Sequence, residues 1–415
     1  MSHTRDPSTR SDKYSTHTAD SSDVSDSDID RNGSLDIISW QRQRDVEKAA
    51  NQGQLPPLPP LQSDESRPSV TDGDDSASAR AGIRKRKPYI DEYGFYTDQG
   101  PVQIVTTQKQ RKQLKDKEGQ WVRILENWSS QSKRRGKIKK LCRMGIPESM
   151  RAKAWVALAG SDKIREAGLF ERLLKQEDLP IFDVIERDVD RCFPEHFMFH
   201  DPNSEGQVNL RNVLRAYAAY KPEIGYCQGM GMLVGMMLMH MQPEDAFWLL
   251  VRTLDAYIPD FFNPSLTQLR IDAAVFEFLL HRSNKRLARH LDNNEVLPLM
   301  YITQWFMTIY TTTLPWETTL RIWDMFYCEG AKPLFRIGLA ILKITKGYLL
   351  KECPTNAELL SFLLHIPTNY LQADQLIEAA LAIKLRGADV DRLRAKVAAS
   401  AFPERGTVSL VRKKG

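Results

Sequence analysis

The sequence predicts an all-α protein: one large, two-lobed helical domain preceded by a disordered acidic tail. Three observations carry this prediction. From residue 141 to about 400, apolar residues recur at three- and four-residue steps, as in Leu334, Ile337, Ile341, Ile344 and Tyr348, or Val390, Leu393 and Val397. That is the period of an α-helix with one buried face. Prolines at 147, 180, 194, 222, 243, 259, 264, 298, 315, 333, 354 and 367 fall between the periodic segments, where they start or stop helices. No sustained alternation marks a strand, and no regular repeat marks a solenoid. The predicted organisation is an acidic tail over 1–80, a basic linker and pre-domain helix over 81–140, and a domain core over 141–350. C-terminal helices packing on that core follow over 351–400, and a basic tail over 401–415.

Residues 1–80 hold 9 Lys and Arg against 15 Asp and Glu, with 15 serines, whereas the other 335 residues hold 49 against 38. Such a tail buries too little apolar surface to offset chain entropy. Within it, Leu55-Pro56-Pro57-Leu58-Pro59-Pro60-Leu61 suits a polyproline II helix, either a stiff linker or a ligand for a proline-recognition domain. No basic residue flanks it closely, which favours the linker. Arg84-Lys85-Arg86-Lys87 reads first as solvated charge, with a nuclear address or a membrane-surface patch as the alternatives. Tyr89–Tyr96 reads as a short aromatic turn. From Lys109 to Arg143 the chain has amphipathic helix spacing, with Trp121, Leu125 and Trp128 on one face. An aromatic face of this kind is expected to dock on its own domain. Anionic lipid and nucleic acid are the other surfaces it would suit.

Several function classes are excluded. No run of 18 apolar residues exists, so no transmembrane helix is expected. The N-terminus is polar and lacks a signal-peptide core. Cys142, Cys192, Cys227, Cys328 and Cys353 are scattered without a CxxC pair, which fits reduced thiols and gives no zinc site. There is no HExxH pattern and no Gly-rich phosphate loop. Neither a metal nor a cofactor of the chain's own is expected.

Two stretches hold the residues suited to chemistry. In the first, Pro180 to Pro194, the expected buried stripe is Ile181, Val184, Ile185 and Cys192. Asp188 and Arg191 are three apart, hence neighbours on a helix surface, and Pro194 places the guanidinium near a helix end. This is either a surface ion pair worth a few tenths of a kcal/mol or an oriented functional arginine. In the second, Lys221 to Gly231, Gly225 and Gly229 strip bulk from both sides of Gln228. A carboxamide both donates and accepts, so Gln228 can orient a water; the competing reading is a satisfied core glutamine.

Taken together, the stretches resemble the TBC family of Rab GTPase-activating proteins. The first fingerprint, Ile-x-x-Asp-x-x-Arg, stands as Ile185, Asp188 and Arg191, and the second, Tyr-x-Gln-Gly-Met, as Tyr226, Gln228, Gly229 and Met230. Gly145-Ile146-Pro147 with Arg151 and Trp155, the block Arg211–Tyr217, and Leu314-Pro315-Trp316 followed by Arg321-Ile322-Trp323-Asp324 match in order. The wording is most similar to the ezrin-associated subgroup. Two departures stand out: Cys192 where the family often has Thr, and Gly231 where it often has Asn. The resemblance implies a trans-acting arginine finger at Arg191 and a glutamine finger at Gln228. It implies that Asp188 holds Arg191 and that Tyr226 packs and positions the second loop, with Gly229 and Ile185 as further supporting residues. The implied partner is a GTP-bound Rab-family GTPase carrying its own GTP and Mg²⁺, which explains why no phosphate loop is needed here. The expected setting is cytoplasmic, peripheral at endomembranes or the plasma membrane, with contact to anionic lipid. The rival reading is a non-catalytic Rab or cytoskeletal adaptor, which would not require both fingers. A nucleic-acid binder ranks low, because the aromatics fall at core spacing.

Overall fold

Among the described residues, which are 89–98, 100 and 107–401 of this computed structural model, seventeen α-helices follow one two-stranded hairpin. The expectations for residues 1–80, for the 84–87 cluster and for the chain after 401 lie outside them. The hairpin pairs β1 (Tyr89–Ile90) with β2 (Tyr96–Thr97), Tyr89 opposite Thr97 and Ile90 opposite Tyr96. Then come α1 (Gln108–Glu126), α2 (Trp128–Gln131), α3 (Arg135–Arg143), α4 (Glu148–Ala159), α5 (Leu169–Leu173), α6 (Phe182–Val189), α7 (Glu205–Tyr220) and α8 (Met230–Leu238). The second half comprises α9 (Pro243–Arg252), α10 (Thr267–Ser283), α11 (Lys285–Asn293), α12 (Leu299–Met307) and α13 (Trp316–Glu329). It ends with α14 (Lys332–Glu352), α15 (Asn356–Leu364), α16 (Ala373–Ala382) and α17 (Gly387–Ala401).

The predicted punctuation holds. Pro147 and Pro315 precede α4 and α13, and Pro243 opens α9, where a missing N–H costs nothing. Thr107 with Gln110, and Thr355 with Glu358, close reciprocal capping boxes on α1 and α15. The amphipathic run over 109–143 is broken into three helices. Asn127 ends α1, its side chain donating to the Arg123 carbonyl at 3.1 Å, and Ser130 and Ser132 donate to the Asn127 and Ser129 carbonyls. These local side-chain bonds compete with the helix ladder. The aromatic face nonetheless docks as expected: Trp121 and Ile124 are buried, and α1 packs on α4. No described helix is long and apolar enough to cross a membrane.

One cluster of buried side chains runs from Trp121 to Val397. Its polar pivot is Asp324 in α13, fully buried. That carboxylate accepts from the Ile146 N–H at 2.7 Å, the Trp155 Nε1–H at 2.9 Å and Arg151 Nε at 3.4 Å. Arg151 in turn donates to the Ile146 carbonyl at 2.8 Å. The opening Gly-Ile-Pro block and the later Arg-Ile-Trp-Asp block are therefore halves of one buried network. At the other end, Asp272 in α10 takes Arg394 of α17 in a fork of 2.7 and 2.6 Å, which fastens the last helix to the domain.

Glu329, at the end of α13, collects Arg143 (Nε to Oε1, 2.7 Å), Lys139 (3.0 Å) and Lys332. Burial works to raise its pKa, but the bonds from Arg143, Lys332 and Lys139 win and hold the carboxyl at about 2. A depressed carboxyl stabilises the fold fully above its unfolded value near pH 4.3, and the contribution disappears as pH falls toward 2. Acid titration should therefore destabilise the wild-type chain more steeply between about pH 4.5 and 2 than Glu329→Gln, as read by thermal melts across that window. Parallel pH profiles would remove the assignment.

Candidate functional site

The helix carrying the first fingerprint buries Phe182, Ile185 and Val189, whereas Val184 of the expected stripe is exposed. Ile185 and Cys192 of the expected stripe are buried, and Phe182 and Val189 join them in place of Val184. α6 is tied to α7 by charge: Glu186 accepts from Arg211 Nε at 2.7 Å and Arg215 Nη2 at 2.8 Å, and Arg211 Nη2 reaches Asp190 at 3.4 Å. The Arg215 guanidinium also lies 4.9 Å over the Phe182 ring. Glu186 and Asp190 are four apart, as are Arg211 and Arg215, so each set lies on one helix face and the faces are complementary. Sequence reasoning passed over these anchors, although that paired spacing was visible.

α6 ends at Val189, and Arg191 lies two residues beyond it. The Arg191 and Cys192 N–H groups still donate to the Asp188 and Val189 carbonyls, at 3.1 and 2.9 Å. Phe193 then turns into the left-handed region at φ +53°, which ends any helical continuation ahead of Pro194. The second stretch is also loop. Gly225 (φ +62°) and Gly229 (φ +102°) bracket it, and Gly229 caps α8, so Gln228 sits at the mouth of that helix.

Contacts between the two stretches run in parallel order. A Cβ on Gly225 would lie 3.7 Å from Ile181. The Tyr226 hydroxyl donates to the Asp188 carboxylate. A Cβ on Gly231 would come within 2.5 Å of Cys192 Sγ, and one on Gly235 within 2.5 Å of the Phe193 ring. Gly231 and Gly235, one turn apart on α8, thus form the groove into which Cys192 and Phe193 settle. The two departures from the family pattern, Cys192 and Gly231, face each other: the bulkier side chain on one is accommodated by the missing one on the other.

Burial, together with the adjoining Asp188, pushes the Tyr226 phenol well above its usual value, so it remains a hydrogen-bond donor. Burial, with Asp188 and Asp190 nearby, pushes the Cys192 thiol up to about 12, and it rests 3.4 Å from the Asp188 carbonyl as an unreactive packing group. One expected role is corrected here. Asp188 does not hold the Arg191 side chain; its carboxylate is committed to Tyr226, and it reaches Arg191 only through the backbone. The physical reason is that the Tyr226 hydroxyl, presented by the facing loop, occupies the carboxylate that the spacing assigned to Arg191.

Arg191 and Gln228 are both exposed, and among the described residues neither side chain makes a hydrogen bond or ion pair. This removes both bland alternatives for these stretches, the Asp188–Arg191 surface pair and the core glutamine. Ile185 is fully buried beneath the first loop, and Gly229 is half-buried at the second. The surface therefore presents a forked cation and a carboxamide on two loops locked by a half-buried Tyr–Asp bond. His196 and His200, four apart, are committed to the carbonyls of Tyr93 and Pro194. Elsewhere, Glu277, His281 and Asp292 bring ligand-type atoms within 4.8 Å of one another, with His281 Nε2 and Asp292 Oδ2 at 2.9 Å.

Comparison with known proteins places this geometry. The family model for the Rab-GTPase-TBC domain matches residues 148–350, which includes both loops. The chain is similar to TBC1 domain family member 10B of Mus musculus, at 37% identity over 79% of this chain and 42% of that protein. It is also similar to TBC1 domain family member whacked of Drosophila melanogaster, at 36% identity over 72% of this chain and 84% of that protein. The chain thus spans about two fifths of the first relative and most of the second. Among solved structures, the Chlamydomonas flagellar RabGAP TBC domain superposes with a TM-score of 0.56 at 26% identity, covering 70% of this chain and 98% of that one. With the fingerprints, the buried blocks that frame them and a relative matched over most of its length all in agreement, the chain belongs to the Rab-GTPase-TBC domain family.

Proposed function

We propose that this chain is a GTPase-activating protein for a Rab-family small GTPase in vesicle trafficking, acting in trans through Arg191 and Gln228. The observation that carries the reading is the pairing itself: two exposed polar side chains with no hydrogen-bond or ion-pair partner among the described residues, on loops packed against each other. Hydrolysis of GTP needs negative charge stabilised around the γ-phosphate and a water aligned for in-line attack. Arg191 is permanently charged and forked, which suits the first task. Gln228 donates and accepts at once, which suits the second. Nucleotide and Mg²⁺ belong to the partner, so the chain completes another protein's active site and turns over no substrate alone. Tyr226 and Asp188 set the spacing of the loops, while Ile185 and Gly229 support them from beneath.

A hydrolysis screen of the full chain against a panel of GTP-loaded Rab proteins tests the reading. At least one Rab should be accelerated on the order of 10³-fold or more. Tight binding to a GTP-loaded Rab with no acceleration of any would replace the reading with the adaptor alternative.

The same protein is expected to act at a membrane surface. Lys109, Arg111, Lys112 and Lys115 on α1, and Lys133, Arg134, Arg135, Lys137 and Lys140 around α3, are exposed. Each cation near anionic lipid adds up to about 1 kcal/mol, and salt screens that attraction. Co-sedimentation should be stronger with phosphatidylserine vesicles than with neutral ones, and should weaken at high salt. Equal binding to both would overturn the membrane expectation.

A further inference from the structure

The β1–β2 hairpin lies outside the family-matched residues 148–350, yet its contacts converge on the segment that follows Arg191. The Tyr96 N–H donates to the Glu195 carbonyl at 2.8 Å, and the Phe197 N–H donates to the Gly94 carbonyl at 2.9 Å. Phe95 and His196 form an antiparallel bridge. The His196 ring spans the junction: its Nδ1 accepts from the Met198 N–H at 3.2 Å, which leaves Nε2–H to donate to the Tyr93 carbonyl at 3.0 Å. Asp91 shapes the turn by accepting from the Tyr93 and Phe95 N–H groups, at 2.9 and 2.8 Å.

The Phe95 ring is the wedge. It lies 4.9 Å from His196, 4.9 Å from Trp316 and 6.5 Å from Phe193. Phe193 is two residues past Arg191, and its left-handed φ persists only where neighbours over-determine it. Gly94 allows the approach: at φ +97°, an added Cβ would stand 2.4 Å from His196 Nε2 and 2.8 Å from the Phe197 ring. A two-stranded hairpin is not stable by itself, so its shape and that of the 193–199 segment depend on each other.

We infer that the hairpin is a brace for the arginine loop, with Gly94, Phe95 and His196 as positioning residues for Arg191. This deepens the proposed function, since it rests on Arg191 being the group that meets the partner's phosphate. The preceding helix and the Asp188–Tyr226 bond fix the loop on one side of Arg191; on the other, the hairpin presses Phe193 and the 195–197 segment from the side opposite the Gly231 and Gly235 groove of α8. Displacement of a reacting group by about 1 Å can cost on the order of 100-fold in rate, so loss of the brace should act on turnover more than on binding.

The test uses the full chain with Phe95→Ala, Gly94→Ala and the conservative Phe95→Leu, each in wild-type and Arg191→Ala backgrounds. Phe95→Ala and Gly94→Ala should lower kcat about tenfold with KM moving less than about threefold, and Phe95→Leu should recover most of the loss. In the Arg191→Ala background the brace variants should change the rate less than about twofold, because positioning an absent guanidinium has no effect. Amide exchange at Cys192, His196, Phe197 and Phe199 should rise in Phe95→Ala while the α14 core stays protected. An equal rate loss in both backgrounds would overturn the brace, as would unchanged exchange in the 192–199 segment. Were the wild-type chain to accelerate no Rab, the activator reading would fall by itself, and the exchange result would decide the brace alone.

Discussion

Arg191→Ala and Gln228→Ala should each lower single-turnover GTP hydrolysis on a cognate Rab on the order of 100-fold or more, while affinity for the GTP-loaded Rab should change only a few-fold. The asymmetry follows from when the groups act. Charge accumulates around the transferring phosphoryl group in the transition state, and the attacking water must be aligned only then. Arg191→Lys should recover little, because an ammonium is a compact point charge and cannot reproduce the planar fork. Neither substitution should disturb folding: both side chains are exposed and without a partner among the described residues, and such surface changes stay within about 0.5 kcal/mol. Circular dichroism melts provide that control. A variant that loses Rab binding and hydrolysis together would point to a docking role in place of a catalytic one.

Asp324→Ala should be the most damaging single change to the fold away from the loops. The carboxylate is fully buried and satisfies the Ile146 N–H, the Trp155 indole and Arg151. Its removal strands two buried donors and takes one of three partners from the buried Arg151 guanidinium. Breaking a buried pair from one side costs about 3–5 kcal/mol, a large share of the stability of any domain. The measurement is urea unfolding of the variant beside the wild type, with tryptophan fluorescence as the probe. Arg151 retains Glu148 and the Ile146 carbonyl, so Asp324→Asn, which keeps an acceptor for Trp155, should cost less. A loss under about 1 kcal/mol for the alanine variant would mean that the network is not the pivot of the core.

The helices were legible because a buried face leaves a three- and four-residue signature and proline cannot continue a helix. Both fingerprints were legible because each is local, within eleven residues. What escaped was the contact between them. Asp188 and Tyr226 are 38 residues apart, and the carbonyl of Tyr93 is 103 residues from His196, so neither bond leaves a spacing to read. Asp188 is neighbour to Arg191 in sequence, but its carboxylate goes to Tyr226 of the facing loop, a partner that no local spacing encodes. Val184 was taken for Phe182 on the buried face for a separate reason: in an eight-residue helix two apolar stripes fit the pattern nearly as well. The amphipathic run before the domain was broken by Asn127 and its serines, whose local bonds are a property of side chains and not of periodicity.

A double-mutant cycle in single-turnover hydrolysis tests the two fingers most directly, with wild type, Arg191→Ala, Gln228→Ala and the double variant assayed on one GTP-loaded cognate Rab. Groups that complete one transition state are strongly non-additive, since either loss already disables the assembly. The predicted result is a double variant barely slower than the worse single one, with all four proteins folded and binding the Rab. Single variants that keep near-wild-type rates would contradict the account, and the helical domain would then be read as an adaptor.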